Sequence, residues 1–301
     1  MLAPSHTALG PKEAWSLLLA LARRQREGRP PADGARLALD ADGRLVDGAA
    51  NAWIVARANA PRGWSAGSAP STAEFDEMLD LYGPLALGAR GALVVAHLAQ
   101  TLDGRIALAS GRSQFISGQE NLVHAHRLRA LCDVVVVGRG TVEHDDPLLT
   151  TRLCPGESPV RAVIDPARKL GEDRRVFSGR DAPTLVLCDE ASAKARPAHG
   201  LAEAVGVAAE DGVLPAAAVL SALRARGLRR VFVEGGGVTV SRFLQAGAID
   251  RLHVTVAPYA FGCGVPSITL PEISDMSAAI ALAWRPFTLG RDVLFDCTVR
   301  A

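Results

Sequence analysis

The sequence has no long apolar run. Near its N-terminus the longest is Leu17 to Leu21, far short of the ~20 residues that cross a bilayer. A basic segment followed by an apolar stretch and a small-residue cleavage site, the pattern of a secretory leader, is also missing. Neither sign of charge dominates. Against 33 Lys and Arg stand 32 Asp and Glu, a net charge of +1, so no field gathers nucleic acid or an anionic membrane. The five cysteines, at 132, 154, 188, 263 and 297, are odd in number and widely spaced, with no C-x-x-C. They suggest neither a disulfide framework nor a zinc site, and read as small hydrophobes of a reducing cytoplasm. Membrane and nucleic-acid partners are therefore set aside, and a small-molecule substrate is expected of a cytoplasmic protein.

What is present is ordinary globular material: 49% apolar and 22% charged residues over 301 positions. That is enough for one large or two modest domains. The texture changes near residue 90. Before it, Glu13 to Arg26 has the spacing of an amphipathic helix, Arg36 to Asp40 and Ala52 to Ala56 read as short strands, and Thr72 to Tyr82 reads as a helix with Ser71 as N-cap. Residues 1–90 are thus expected to form a small α+β appendage. After it, apolar runs alternate with helical segments. Ala92 to Ala99, Asp133 to Val137, Val160 to Ile164, Thr184 to Leu187, Arg230 to Val233 and Leu252 to Ala257 have the continuous apolar character of strands covered on both faces. Gln119 to Leu131, Leu214 to Arg226 and Thr239 to Ala246 read as helices. Residues 91–301 are expected to form a three-layer α/β/α domain on a mostly parallel sheet. Ala281 to Pro286 and Asp292 to Val299 close it as an antiparallel hairpin.

Two strand-to-helix junctions are rich in glycine: Val137-Gly-Arg-Gly-Thr141 and Val233-Glu-Gly-Gly-Gly-Val-Thr239. Glycine lets backbone approach a phosphate, and the following helix start offers N–H groups and a positive dipole end. Tight turns also use glycine for steric reasons alone. Two such turns in one sheet suit a dinucleotide, although neither follows the G-x-G-x-x-G pattern of a standard Rossmann domain. Asp103, in Leu102-Asp-Gly104, either caps its own turn or serves the chemistry. The loop His144 to Arg152 is ambiguous on physical grounds.

Taken in order, Thr101-Leu-Asp-Gly-Arg-Ile106, Ser113-Gln-Phe-Ile-Ser117, His126-Arg-Leu-Arg-Ala130, Val137-Gly-Arg-Gly-Thr-Val142, Asp145-Asp-Pro-Leu-Leu-Thr150 and Val233-Glu-Gly-Gly-Gly237 form a characteristic series. From Ala92 onward the chain resembles the reductase domain of the riboflavin-biosynthesis deaminase/reductase family and its stand-alone pyrimidine reductases. The resemblance implies a dihydrofolate-reductase-like fold, a homodimer, and NADPH as cofactor. It also implies hydride transfer to C1 of a ribosylamino-pyrimidine phosphate. By position it implies cofactor contacts at Ala99, Phe115, Gly138, Gly140, Thr141 and Asp145, and along Gly235, Gly236, Gly237, Val238 and Thr239 toward Arg242. Substrate contacts fall on His97, Ser113, Arg129, Leu149, Arg152 and Glu234. Glu234 and Asp103 are the catalytic candidates, and no metal is expected.

Three departures from that family pattern stand out. Residues 1–90 hold no cysteine and one histidine, His6, so they lack the H-x-E and P-C-x-x-C ligands of a zinc deaminase. At His97 the bifunctional relatives usually carry a lysine that meets the pyrimidine ring. Here the side chain either faces that ring and titrates near neutrality, or is a satisfied core histidine. Phe115 stands where tryptophan is common. Arg168 and Lys169 either contact the 2′-phosphate of NADPH or belong to a solvated loop. Two alternatives to the pyrimidine reductase therefore stay open: a reductase of a pterin-like heterocycle, and a binding protein without turnover.

Overall fold

The computed structural model describes residues 8–57, 60, 62–88, 92–112 and 116–299. It divides into two compact units, Met1–Leu93 and Val94–Ala301. In the first, α1 (Pro11–Arg26) starts with proline, whose missing N–H costs nothing in a first turn. It buries Trp15, Leu18 and Leu21 on one stripe. The short strands β1 (Arg36–Leu39), β2 (Leu45–Asp47), β3 (Ile54–Ala56) and β4 (Trp64–Ala66) form an antiparallel sheet in the order β2-β1-β3-β4. Helix α2 (Ala73–Leu87) follows, and Trp15 meets Tyr82 edge-on at 5.7 Å. Its N-cap is Thr72, which accepts from the Phe75 amide, and not the expected Ser71. The helix runs past Tyr82 because Pro84 and its neighbours are buried and packing outweighs the proline.

The second unit begins with β5 (Leu93–Thr101), β6 (Arg105–Leu108), α3 (Gln119–Leu131), β7 (Val134–Gly138), α4 (Arg139–Asp145) and β8 (Val160–Ile164). It continues through α5 (Arg175–Ser178), β9 (Thr184–Asp189), α6 (Glu190–Ala195), β10 (Ala198–His199), β11 (Ala202–Val207) and α7 (Ala216–Arg224). It ends with β12 (Arg230–Glu234), α8 (Gly237–Gln245), β13 (Arg251–Ala257), β14 (Gly264–Pro266), β15 (Leu282–Leu289) and β16 (Asp292–Val299). Ten strands make one sheet in the order β10-β11-β9-β8-β7-β12-β5-β13-β16-β15. Strands β11, β9, β8 and β7 pair in parallel with their neighbours up to β12, as does β5 with β13. The closing hairpin β15–β16 is antiparallel, as the sequence predicts.

Alternation along the strands sorts the side chains. Val94, Ala96, Leu98, Val134, Val136, Val231 and Val233 join Val219, Leu223, Val240 and Phe243 of α7 and α8 in one apolar core. Helix α3 contributes buried polar groups instead, Asn121, His124 and Arg129. Beyond the sheet, β6 and β14 pair as a two-stranded ribbon. That ribbon and β11 carry too few residues of clear periodicity to be read from the sequence.

One buried arginine shapes the loop that follows α4. Arg161, in the middle of β8, is wholly inaccessible. Its guanidinium donates to Leu148 O at 3.3 Å, Gly179 O at 2.8 Å and Ala182 O at 2.7 Å. Arg161→Met keeps most of the stem but leaves these carbonyls without their donor. The expected loss is about 2–4 kcal/mol of unfolding free energy, measured by denaturant titration.

Candidate active site

Parallel pairing of β7 with β12 brings their carboxyl ends side by side, where open α/β sheets collect ligands. Each strand leads into one of the glycine turns. Gly138 is the N-cap of α4. Gly235 and Gly236 take φ of 57° and 68°, a region that strains other residues, and Gly236 is the N-cap of α8. The turns interlock. A Cβ on Gly138 would lie 2.3 Å from Thr239 Oγ1, one on Gly236 would lie 2.8 Å from Thr141 Oγ1, and one on Gly237 would lie 2.3 Å from the Ser267 carbonyl. Gly140 and Gly235 have open space where a Cβ would sit. The turns thus combine forced close approach on one side with unobstructed backbone on the other.

A cavity of about 520 Å³ opens beside them, within the range of roughly 300–1,000 Å³ typical of small-molecule sites. Ala99, Gly140, Thr141, Asp145, Gly235 and Gly236, which the resemblance marks as cofactor contacts, line it. The ribbon adds Ile106, Ala107 and Val265, and the approach to α3 adds Ile116, Ser117 and Leu122. Ile106, Ile116 and Ser117 stood only inside quoted motifs, and Ala107, Leu122 and Val265 were not singled out, since an isolated apolar residue looks like any core position. Val238, in the first turn of α8, is 65% exposed, an apolar side chain held out next to the turns.

Next to Gly235 stands a charged cluster. Arg129 of α3 grips Glu234 with two hydrogen bonds, Nε to Oε2 at 2.8 Å and Nη2 to Oε1 at 2.5 Å. Its Nη1 donates to Thr150 O at 2.8 Å. Burial alone would weaken the guanidinium as a cation, but the charge and hydrogen bonds of Glu234 outweigh it and raise its pKa. Leu149 is buried with φ of 56°, a left-handed turn that is rare outside glycine and aims the following carbonyl at Arg129. Arg152 is exposed and donates to Thr150 Oγ1 at 2.8 Å. Its pKa is lowered by desolvation and then by the nearby Arg129 and Arg175 charges, which Glu234 and Asp181 partly offset.

His126 belongs to this cluster although the sequence marked only its motif. Its Nδ1 accepts from the amides of Arg152 at 2.7 Å and Leu153 at 3.2 Å, which pins the loop. Burial, then Arg129 and Arg152, push its pKa down to about 4, so the imidazole is neutral at pH 7.

His97 is 4% exposed and does not titrate near neutrality: burial, then the His253 charge, lower its pKa to about 4. Its Nε2 lies 3.0 Å from Asn121 Oδ1 and 3.2 Å from Thr255 Oγ1. Behind it, His124 Nε2 and His253 Nδ1 are 3.1 Å apart, and His253 Nε2 is 3.2 Å from Asp296 Oδ1. Burial would raise Asp296, but His253 and Arg251 outweigh it and bring its pKa to about 2.

Two further expectations change. Asp103 accepts from Thr101 Oγ1 at 2.5 Å and from the amides of Phe261 at 3.1 Å and Gly262 at 2.6 Å, and is absent from the cavity lining. These contacts hold the turn and tie it to a distant loop, so they support the capping role over a catalytic one. Arg168 is buried and donates to the carbonyls of Ser192, Arg196 and Ala198. Its donors serve the backbone, which removes it from contact with a 2′-phosphate. Ser113 and Phe115 lie outside the described residues.

Glycine turns at parallel strand ends, a cavity at the sheet's carboxyl edge and a charged cluster beside it define a dihydrofolate-reductase-like α/β domain. The chain belongs to the RibD C-terminal domain family, whose model matches residues 92–287. A reductase of 2,5-diamino-6-ribosylamino-4(3H)-pyrimidinone 5′-phosphate from Methanothermobacter thermautotrophicus is 36% identical over 214 residues, covering 69% of this chain and 98% of that protein. The riboflavin biosynthesis protein RibD of Mycobacterium tuberculosis (strain ATCC 25618 / H37Rv) is 36% identical over 211 residues, and the match spans only 53% of its length. Among solved structures, the Thermotoga maritima deaminase/reductase matches with a TM-score of 0.60 at 25% identity, covering 75% of this chain and 62% of that one.

The two imidazoles set an acid limit on the fold. His97 and His126 have folded pKa values of about 4 against 6.5 when free. Between these values the unfolded chain binds more protons, so stability falls as pH drops from about 6.5 toward 4 and is level above 7. The loss from His97 alone is about 3 kcal/mol. Thermal unfolding across this window checks it, and His126→Gln should flatten the fall.

Proposed function

We propose that this chain is an NADPH-dependent reductase of a ribosylamino-pyrimidine 5′-phosphate of the riboflavin pathway, with the ring either diamino or its deaminated counterpart. The observation that carries the reading is that two interlocked glycine turns line one cavity and that Glu234, held by Arg129, immediately precedes the second of them. The residues fit the cofactor. Open backbone at Gly140 and Gly235, the N-terminus of α8, Thr141, Asp145 and the exposed Val238 would hold the dinucleotide. When bound it supplies the hydride for C1 of the ribosyl group, converting it to a ribityl chain.

The remaining work falls to the side chains. Arg152 keeps guanidinium donors without partners among the described residues, and its planar fork suits the ribose phosphate. Reducing the ring-opened sugar consumes a proton with the hydride, and in this reading the Glu234 carboxylate orients the sugar or relays that proton. Arg129 fixes the carboxylate with a two-pronged hold. Neutral His126 keeps the Arg152 loop in place without adding a second charge. Assembly as a homodimer belongs to the same reading. Among the described residues, no helix is long and apolar enough to cross a membrane.

Mixing the protein with NADPH and either ribosylamino-pyrimidine phosphate should bleach the reduced-nicotinamide absorbance. Cofactor binding with no oxidation in either mixture would leave a binding protein instead. Arg152→Ala should raise the substrate KM by about ten- to a hundredfold with NADPH affinity unchanged. A fall in NADPH affinity would move Arg152 to the cofactor side.

A further inference from the structure

One imidazole on the cavity wall has no part in the function proposed above. His144 lies in the last turn of α4 and lines the cavity with Gly140, Thr141 and Asp145 of the same helix. Helical side chains lean toward the start of their helix, so the ring covers the turn before its own Cα. There its Nδ1 meets the Gly140 carbonyl oxygen at 2.7 Å. The other side of the ring faces the loop after β6. A Cβ on Gly111 would lie 3.9 Å from His144 Cδ2, and Gly111 also lines the cavity.

This tether fixes the tautomer. A carbonyl oxygen only accepts, so Nδ1 carries the proton and the neutral ring holds its lone pair on Nε2. Nε2 has no hydrogen-bond partner among the described residues, and His144 is exposed. The cavity wall thus presents an acceptor that a ligand hydroxyl can reach.

Its place selects that hydroxyl. His144 stands three residues after Thr141, one helical turn and about 5–6 Å along the same face. Thr141 Oγ1 itself abuts the second glycine turn, where a Cβ on Gly236 would meet it at 2.8 Å. A pyrophosphate held at Gly235, Gly236 and the start of α8 therefore leaves His144 one sugar away. From the turns the cavity extends toward β5 and the ribbon, and among the described residues none of β8 or β9, on the opposite side of β7, lines it. It accommodates one half of a dinucleotide. The hydride has to reach a sugar beside Gly235, so that half is the nicotinamide half, with Leu98, Ile116 and Leu122 as apolar wall.

We propose that His144 is a cofactor-binding residue whose Nε2 accepts from a hydroxyl of the ribose that carries the nicotinamide. This rests on the reductase reading above and adds a residue that it does not use. The contact holds that ribose against α4, and with it the ring that delivers the hydride.

Calorimetry of the full chain, native and His144→Ala, tests this with three ligands. NADPH is the first. The second, 2′-phospho-ADP-ribose, keeps the second ribose without nicotinamide, and the third, 2′-phospho-ADP, keeps both phosphates without that ribose. His144→Ala should weaken the first two by about three- to tenfold, the range of one hydrogen bond, and leave the third unchanged. His144→Gln, with an amide oxygen near the place of Nε2, should recover part of the loss. Should the alanine variant fail to fold, nitrogen NMR of the native protein replaces it: Nε2 should shift with 2′-phospho-ADP-ribose and stay in place with 2′-phospho-ADP. Equal weakening of all three ligands would put a phosphate at His144, and weakening of NADPH alone would put the nicotinamide there. No weakening, with a raised substrate KM, would give the contact to the substrate's own sugar. Each of these outcomes overturns the role of His144 alone. Failure of the native protein to bind any of the three would overturn the reductase reading as well.

Discussion

The site depends on two turns crossing where neither can carry a side chain. Strands β7 and β12 are parallel neighbours, so the chain leaves both at the same edge of the sheet and must start two helices within a few ångströms. Thr239 fills the place of a Gly138 side chain, and Thr141 that of a Gly236 side chain. Removing those side chains lets the two helix starts converge, and their N–H groups converge with them. Everything else in the site is placed relative to this crossing. Glu234 is the last residue of β12 before the second turn, and Asp145 the last of α4 after the first.

A buried ion pair beside such a turn costs desolvation and returns it only if the geometry is good. Arg129 and Glu234 meet that condition with a two-pronged contact, and Thr150 O takes a further donor. The pair therefore holds a carboxylate in one orientation next to the cavity more than it adds to stability. The loop that supplies Thr150 is itself held from two sides. Arg161 grips Leu148 O, and His126 accepts from the amides that follow. Preorganisation of this kind matters to the proposed hydride transfer, where the protein would contribute position more than chemistry.

The parallel strands and the closing hairpin were legible in the sequence because strands covered on both faces read as unbroken apolar runs, and Val160 to Ile164 stands in the structure as read. The glycine turns were legible for a related reason: glycine marks backbone that must go where a Cβ cannot. Much of the rest was not, because it depends on partners distant in sequence. Asp103 looked like a local turn residue with a possible role in chemistry, and its partners prove to be amides at Phe261 and Gly262. Arg168 looked like a surface charge, yet three carbonyls reached through tertiary structure absorb it. The ribbon of β6 and β14 is so short that its lining residues carry no periodic signal.

His97 joins both kinds of information. Sequence position put it on a central strand, where two readings competed: a satisfied core histidine or a group facing the ligand. The structure shows a buried histidine hydrogen-bonded within the protein. Its Nε2 meets Asn121 Oδ1 at 3.0 Å and Thr255 Oγ1 at 3.2 Å, and the residue is absent from the cavity lining. A lysine at the same place could only donate. Its charge would also sit against Arg129, with Glu234 already engaged. A neutral imidazole avoids that repulsion, and the cost is the instability in acid that comes with burying groups whose free forms protonate near pH 6.5. The same burial that keeps the imidazole neutral thus weakens the fold as pH drops toward 4.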